Sequence, residues 1–186
     1  MTTTSDALFT PITTEAGHVA RMAAVAGGFA VDITHIALGA TGYTVPINAT
    51  TGRSTATALR SEKDRAEIQD VRNVSDFQKD ISFIVEPSEE YYIREIGFLM
   101  ADGTLYAVAS HPTLALDWAS PQTRNLFALE YIIEDGDAAS FNIVSNGPPL
   151  NLLMSREFAV LSTLQFTNAL ENLRQADRIH DITGAY

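Results

Sequence analysis

The chain has 186 residues, 46% of them apolar by type, and a formal charge of −11 at neutral pH. That length supports one core, or one domain with a short appendage. The acidity excludes roles that depend on neutralising phosphate, so neither nucleic acid nor an anionic membrane surface is expected as a partner, and membrane insertion is not expected either. Cysteine is absent, which removes disulfides, thiolate nucleophiles and Cys-ligated zinc together. No stretch nears the ~20 apolar residues of a membrane-spanning helix; Ala20 to Val31 comes nearest and is broken by Arg21 and Gly27-Gly28. The opening Met1-Thr2-Thr3-Thr4-Ser5-Asp6 has neither the basic start nor the apolar block of a secretion signal, so folding in a cytoplasm is expected. The acidity itself reads as solubility, with steering towards a basic partner as the alternative.

Residues 1–12, Thr-rich and closing at Pro11, predict an extended arm. Thr13-Thr14-Glu15 opens a helix to about Ala26: a threonine caps an early N–H, and Glu15 suits the positive end of the dipole. Ala16, Val19, Ala20, Ala23 and Ala26 recur at helical spacing, a flat apolar face expected to lie on the domain's own sheet. Gly27-Gly28 ends the helix. Val31 to Gly39 alternates as a strand with Val31, Ile33, His35 and Ala37 on one side, and a Gly/Thr/Pro-rich loop follows to Ser54. Residues 55–65 are expected to start helical, and 66–74 fit neither period cleanly. Phe77, Lys79, Ile81, Phe83 and Val85 predict a half-buried strand ended by Pro87. Tyr91 to Ala109 reads as a hairpin turning on Asp102-Gly103. A loop carrying Trp118 comes next, then a second hairpin of Asn125–Glu134 and Ala139–Val144 around Asp135-Gly136-Asp137.

Asn146-Gly147-Pro148-Pro149 is the strongest boundary in the chain. Beyond it, Leu152 to about Ile179 lacks Gly and Pro and predicts a helix of roughly seven turns. The expected class is therefore α+β: an arm (1–12), an antiparallel β-rich domain with an N-terminal helix (13–147) and a helical stem (148–186). Phe166, Ala169, Leu173 and Ala176 form a coiled-coil seam that Leu170 widens, whereas Met154, Phe158, Leu161 and Leu164 lie off it. Such a helix either packs on copies of itself or folds back on its own sheet.

No constellation for chemistry stands out. Glu15-x-x-His18 is half of a di-iron motif without its second half. Asp32 and His35 fall on opposite strand faces, His111 sits in a loop, and His180 reaches an axis only in a parallel trimer. Asp102-Gly103 and Asp135-Gly136-Asp137 offer too few oxygens for calcium. Gly-x-Ser-x-Gly, His-Glu-x-x-His and Gly-x-Gly-x-x-Gly do not occur. Neither catalysis nor a cofactor or metal is expected, and a cell-envelope hydrolase lacks an acid/base pair.

Tyr92-Ile93-Arg94-Glu95-Ile96-Gly97-Phe98 followed by Ala101-Asp102-Gly103-Thr104-Leu105-Tyr106-Ala107-Val108-Ala109 resembles the N-terminal attachment domain of phage tail fibres, the tail-collar fibre domain. Phe9 to Gly17 is similar to the family's opening segment, Asp32 to Gly39 to its next strand and Thr57 to Glu62 to the one after. The resemblance implies a structural virion protein, assembled in the host cytoplasm and located at the tail baseplate. It implies a parallel homotrimer joined through Phe166, Ala169, Leu170, Leu173 and Ala176, with a baseplate wedge protein as partner. The baseplate-contacting residues are not identifiable. Because no shaft repeats precede Tyr186, a short fibre or adaptor is expected, with a distal fibre or receptor-binding protein at the C-terminal end. The alternative is a glycan-binding, receptor-recognising module stacking sugars on Trp118, Tyr91 and Tyr92.

Overall fold

The computed structural model of the chain describes residues 10–75, 78–122, 125–132 and 141–145. The chain divides into two compact units, Met1–Gly147 and Pro148–Tyr186. The stem with its seam, the Asp135-Gly136-Asp137 turn, His180 and most of the N-terminal arm lie outside the described residues. The elements of the first unit are β1 (Ile12–Thr13), α1 (Glu15–Ala26), β2 (Val31–Gly39), β3 (Glu62–Glu67), β4 (Asp70–Ser75) and β5 (Gln78–Val85). They continue with β6 (Tyr91–Ile93), β7 (Glu95–Met100), β8 (Leu105–Ser110), β9 (Asp117–Ala119), β10 (Asn125–Ile132) and β11 (Phe141–Ile143). The described part is β-rich, with largely antiparallel sheets and one short helix near its start.

The main sheet runs β1-β8-β7-β2-β11, with β3 also paired to β2. Its centre is the β7–β8 hairpin. The turn closes where Gly103 takes φ 85°, and Thr104 N–H donates to the Asp102 carboxylate at 2.9 Å. These hydrogen bonds hold the Asp102 carboxyl below its ordinary pKa. The hairpin is shorter than expected. Its first strand breaks at Arg94, and Tyr91–Ile93 pairs instead with Asp117–Ala119, so Trp118 stands on a strand and not in a loop.

β2 carries a bulge between Ile33 and His35 in its pairing with β7. One extra residue reverses the alternation beyond it. Val31 and Ile33 therefore share the inner face with Ile36 and Leu38, while Ala37 joins the cluster on the other side. The expected face of Val31, Ile33, His35 and Ala37 is thus cut in two. The free edge of β2 is divided as well: its first residues pair in parallel with β11, its last antiparallel with β3.

β3 corrects the expectation of a helical start before Arg65. Its Glu-Lys-Asp-Arg-Ala-Glu run has helix-forming residues, but the open edge of β2 supplies a ladder that outweighs propensity. Ile68, wholly buried, marks the corner where the chain leaves for the second sheet, β10-β5-β4. There Ile81, Phe83 and Val85 alternate inward as expected, and the Phe83 and Phe127 rings stack at 5.4 Å. Among the described residues the two strands of the expected second hairpin do not pair with each other: β10 pairs with β5, whereas β11 pairs with β2. Both sheets and the β6–β9 pair contribute to one core, including Ile33, Ile36, Phe83, Ile93, Phe98 and Phe127.

Thr14 caps α1 as its sequence predicts, accepting from Gly17 N–H at 2.9 Å. The same hydroxyl donates to the Leu105 carbonyl at 2.5 Å, tying the cap to the central hairpin. Gly17 lies against the backbone of Tyr106; a Cβ there would meet Tyr106 Cα at 2.8 Å. In an isolated helix alanine outranks glycine by about 1 kcal/mol. Here Gly17→Ala must lift the helix off the sheet, and a net loss of about 1–3 kcal/mol is expected in urea denaturation.

Candidate functional site

Two kinds of site compete in this unit: the buried cluster built by the motif residues, and the surfaces those residues hold in place. The cluster centres on Glu95, which is 0% exposed although it is a carboxylate. Burying such a charge is costly unless hydrogen bonds replace its water. Its two oxygens accept the backbone N–H groups of Arg60, at 2.9 Å, and Ser61, at 2.7 Å. The side chain crosses Gly39 so closely that a Cβ there would meet Glu95 Cδ at 2.7 Å. Two residues on, Gly97 leaves room for Leu59, whose Cδ2 would be 3.1 Å from an added Cβ. Thr57 to Glu62 is thereby fastened to β7 by two hydrogen bonds and one apolar contact.

A second clasp holds the preceding loop. Glu15 accepts from Asn48 Nδ2 at 2.6 Å and from Thr51 Oγ1 at 3.4 Å, while its N–H donates to the Ser54 carbonyl at 2.9 Å. Ser54 N–H returns a bond to Thr13 at 2.9 Å. Residues 40–61 are thus held at the helix start and at Glu95. They cover the outer apolar cluster of Ala37, Tyr43, Val45, Leu99, Leu105 and Val108.

Tyr43 sits beside the Glu95 carboxylate, with the Arg60 guanidinium 3.9 Å over its ring. Its hydroxyl has no partner in normal hydrogen-bond geometry. Burial, then the nearby Glu95 charge, pushes its pKa up to about 12, and Arg60 partly opposes this. Tyr91 is also raised, by burial and then by its 2.6 Å hydrogen bond to Asp64. Among the described residues no group of histidines and acids is arranged to hold a metal. His18 approaches Arg21 at 3.4 Å, His35 bonds Thr34 Oγ1 at 2.7 Å, and His111 Nδ1 accepts from Leu114 N–H at 3.0 Å.

The exposed surfaces differ from expectation. α1 docks through Gly17 and Arg21, both buried, with Ala20 and Ala24 packed on the core. Of its expected inner face only Ala20 meets the core: Ala16, Ala23 and Ala26 are exposed and Val19 is 66% exposed, beside Met22 at 54%. The signal lay in Gly17 and Arg21, four apart on one arc, where a glycine in mid-helix marks close backbone approach. Of the expected sugar-stacking residues, Tyr91 is buried, while Tyr92 and Trp118 are exposed cross-strand neighbours with ring centres 4.5 Å apart. Phe166, Ala169, Leu170, Leu173 and Ala176, the expected trimer contacts, lie outside the described residues.

Thr14, Gly17, Gly39, Glu95 and Gly97 serve the scaffold, whereas Tyr92 of the same motifs is exposed. Residues 6–141 match the family model of the phage tail-collar fibre protein, N-terminal domain. The chain belongs to this family. No curated protein and no solved structure gives a match. A tail-collar fibre domain is a structural part of a phage tail, which places the chain in the virion tail.

The clasp has two measurable consequences. Glu95→Gln presents an amide nitrogen to one of the two N–H donors, and a loss of about 2–3 kcal/mol is expected from urea melts. An unfolded tyrosine ionises near pH 10, whereas folded Tyr43 stays protonated to about 12. Its contribution is therefore complete below pH ~10 and is lost as the pH rises towards ~12. Tyr43→Phe is expected to flatten the fall in stability over that window, measured as urea midpoints at stepped alkaline pH.

Proposed function

We propose that this chain is a short tail fibre or fibre adaptor that attaches to the tail baseplate and links it to distal host-recognition components. The observation that carries the reading is the family match over residues 6–141, which spans nearly the whole β-rich unit. In this reading the chain acts as a homotrimer whose subunits meet along residues 148–186, through Phe166, Ala169, Leu170, Leu173 and Ala176. Two or three heptads are too short to hold an oligomer alone, so the β-rich heads contribute contacts too. A baseplate wedge protein is the partner at the head, and a distal fibre or receptor-binding protein the partner at the stem.

A second reading is favoured by one observation. Tyr92 and Trp118, 53% and 41% exposed, form an edge-on aromatic pair with the Arg94 guanidinium 5.7 Å from the Tyr92 ring. Exposed rings beside a hydrogen-bond donor suit stacking of a sugar, so the head can act directly in adsorption as a glycan-binding module.

Light scattering of the full chain is expected to give three times the 20.2 kDa chain mass, and cross-linking of purified tails to join the head to a baseplate protein. A monomer, or tails that lack the chain, overturns the proposal. Binding on a glycan array that Trp118→Ala abolishes, without tail cross-links, transfers the assignment to the second reading.

A further inference from the structure

α1 has its polarity reversed. Arg21, a charged residue in mid-helix, is 9% exposed, while Val19 is 66%, Met22 54% and, just past the helix, Phe29 74% exposed. Long charged side chains normally turn to water and apolar ones to the core. Neither end of the helix relieves the exposed face: Glu15 is held by Asn48, and Gly27 and Gly28 carry no side chain.

We infer that the outward face of α1 is a contact between copies of this chain within the head, and that its occupant is the same face of a neighbouring subunit. The inference rests on the homotrimer reading and deepens it. Three observations select a second copy over another occupant. Ala16, Val19, Ala23 and Ala26 step by three, four and three, the 3.5-residue period by which like helices interlock. Alanine at three of these four positions lets helix axes approach closely, and a matching row of small residues is supplied by a copy of the same helix. Charge gives the second reason. Each copy carries −11, so copies repel except where they meet over surface of low charge, and the ionisable group on this face, Glu15 at its very start, is tied to Asn48 and Thr51.

Size is the third. The face offers on the order of 400 Å² of apolar surface, a large patch for a monomer. That is about half of the ~800 Å² per partner usual for a free-standing interface. A separate protein binding here alone would bind weakly. Copies already joined through another part of the chain meet the face at high effective concentration, so a small patch suffices.

The chain has no cysteine, so one introduced thiol reports on one place. Full-length Val19→Cys and, as a control on an exposed loop, Thr113→Cys are treated with a short bis-maleimide at micromolar chain, with mass followed by light scattering. The expected result is a trimer for both, a covalent dimer for Val19→Cys and none for Thr113→Cys. Val19→Asp with Met22→Asp is expected to raise the dissociation concentration at least about ten-fold. Both side chains are exposed within the subunit, so the unfolding midpoint of the dissociated subunit, measured at a chain concentration below the dissociation concentration, should change little.

A trimer whose Val19→Cys does not cross-link overturns the inference and leaves the trimer standing. If that thiol resists maleimide in a monomer, the chain's own residues cover the face, and the inference fails together with the trimer. If it reacts freely within a trimer, the face is left for an outside partner and the inference fails alone.

Discussion

The Glu95 carboxylate, out of reach of water, is satisfied by the backbone N–H groups of Arg60 and Ser61. Much of the unit depends on that capture. A buried charge left without donors would destabilise the central strand, so residues 40–61, which carry little regular structure, acquire one fixed position. Once fixed, they lay Leu59 over Gly97 and the Arg60 guanidinium over Tyr43, and the outer side of the main sheet gains an apolar cover. A charge that would be a defect in an ordinary core works here as an anchor for a loop.

The same economy explains why motif residues in this family reveal architecture more readily than binding. Thr14, Gly17, Gly39, Glu95 and Gly97 are all consumed by contacts inside the unit. What remains for partners is decided by surfaces that these residues position but do not form. The two most apolar of them are unlike in character. The outer face of α1 is largely apolar, with alanines around Val19 and Met22, suited to another apolar surface. The Tyr92–Trp118 pair is aromatic and lies beside Arg94, suited to a polar ligand with one apolar side.

Local chemistry was readable wherever a few neighbouring residues decide the outcome. Thr14 as a cap, Gly103 at the turn, and the inward alternation of Ile81, Phe83 and Val85 all follow from side-chain hydrogen bonds, backbone sterics or two-residue periodicity. The family could be read because its motifs are short contiguous runs, even where, as at Glu95, their contacts are distant. The face of α1 was misread because alanine fits equally well against a sheet, against another helix or in water. Periodicity finds a stripe without saying which side of it is inside. Gly17 held the answer, since its lack of a side chain matters only beside the Tyr106 backbone.

By itself, then, the chain's order of residues determined its N-terminal helix, most of its strands, its Asp102-Gly103 turn, its acidic and cysteine-free character and its membership of a fibre family. Tertiary structure alone decided which strand β11 would join, where the strand from Tyr91 would break, and that a single bulge at Thr34 would redistribute the faces of β2. The physical reason is distance along the chain. A cap or a turn is settled over three or four residues, but the bond from Thr14 to Leu105 spans 91 and that from Ser61 to Glu95 spans 34. Pairings at such range are selected by what each competing edge and buried charge still lacks, and no local window contains that information.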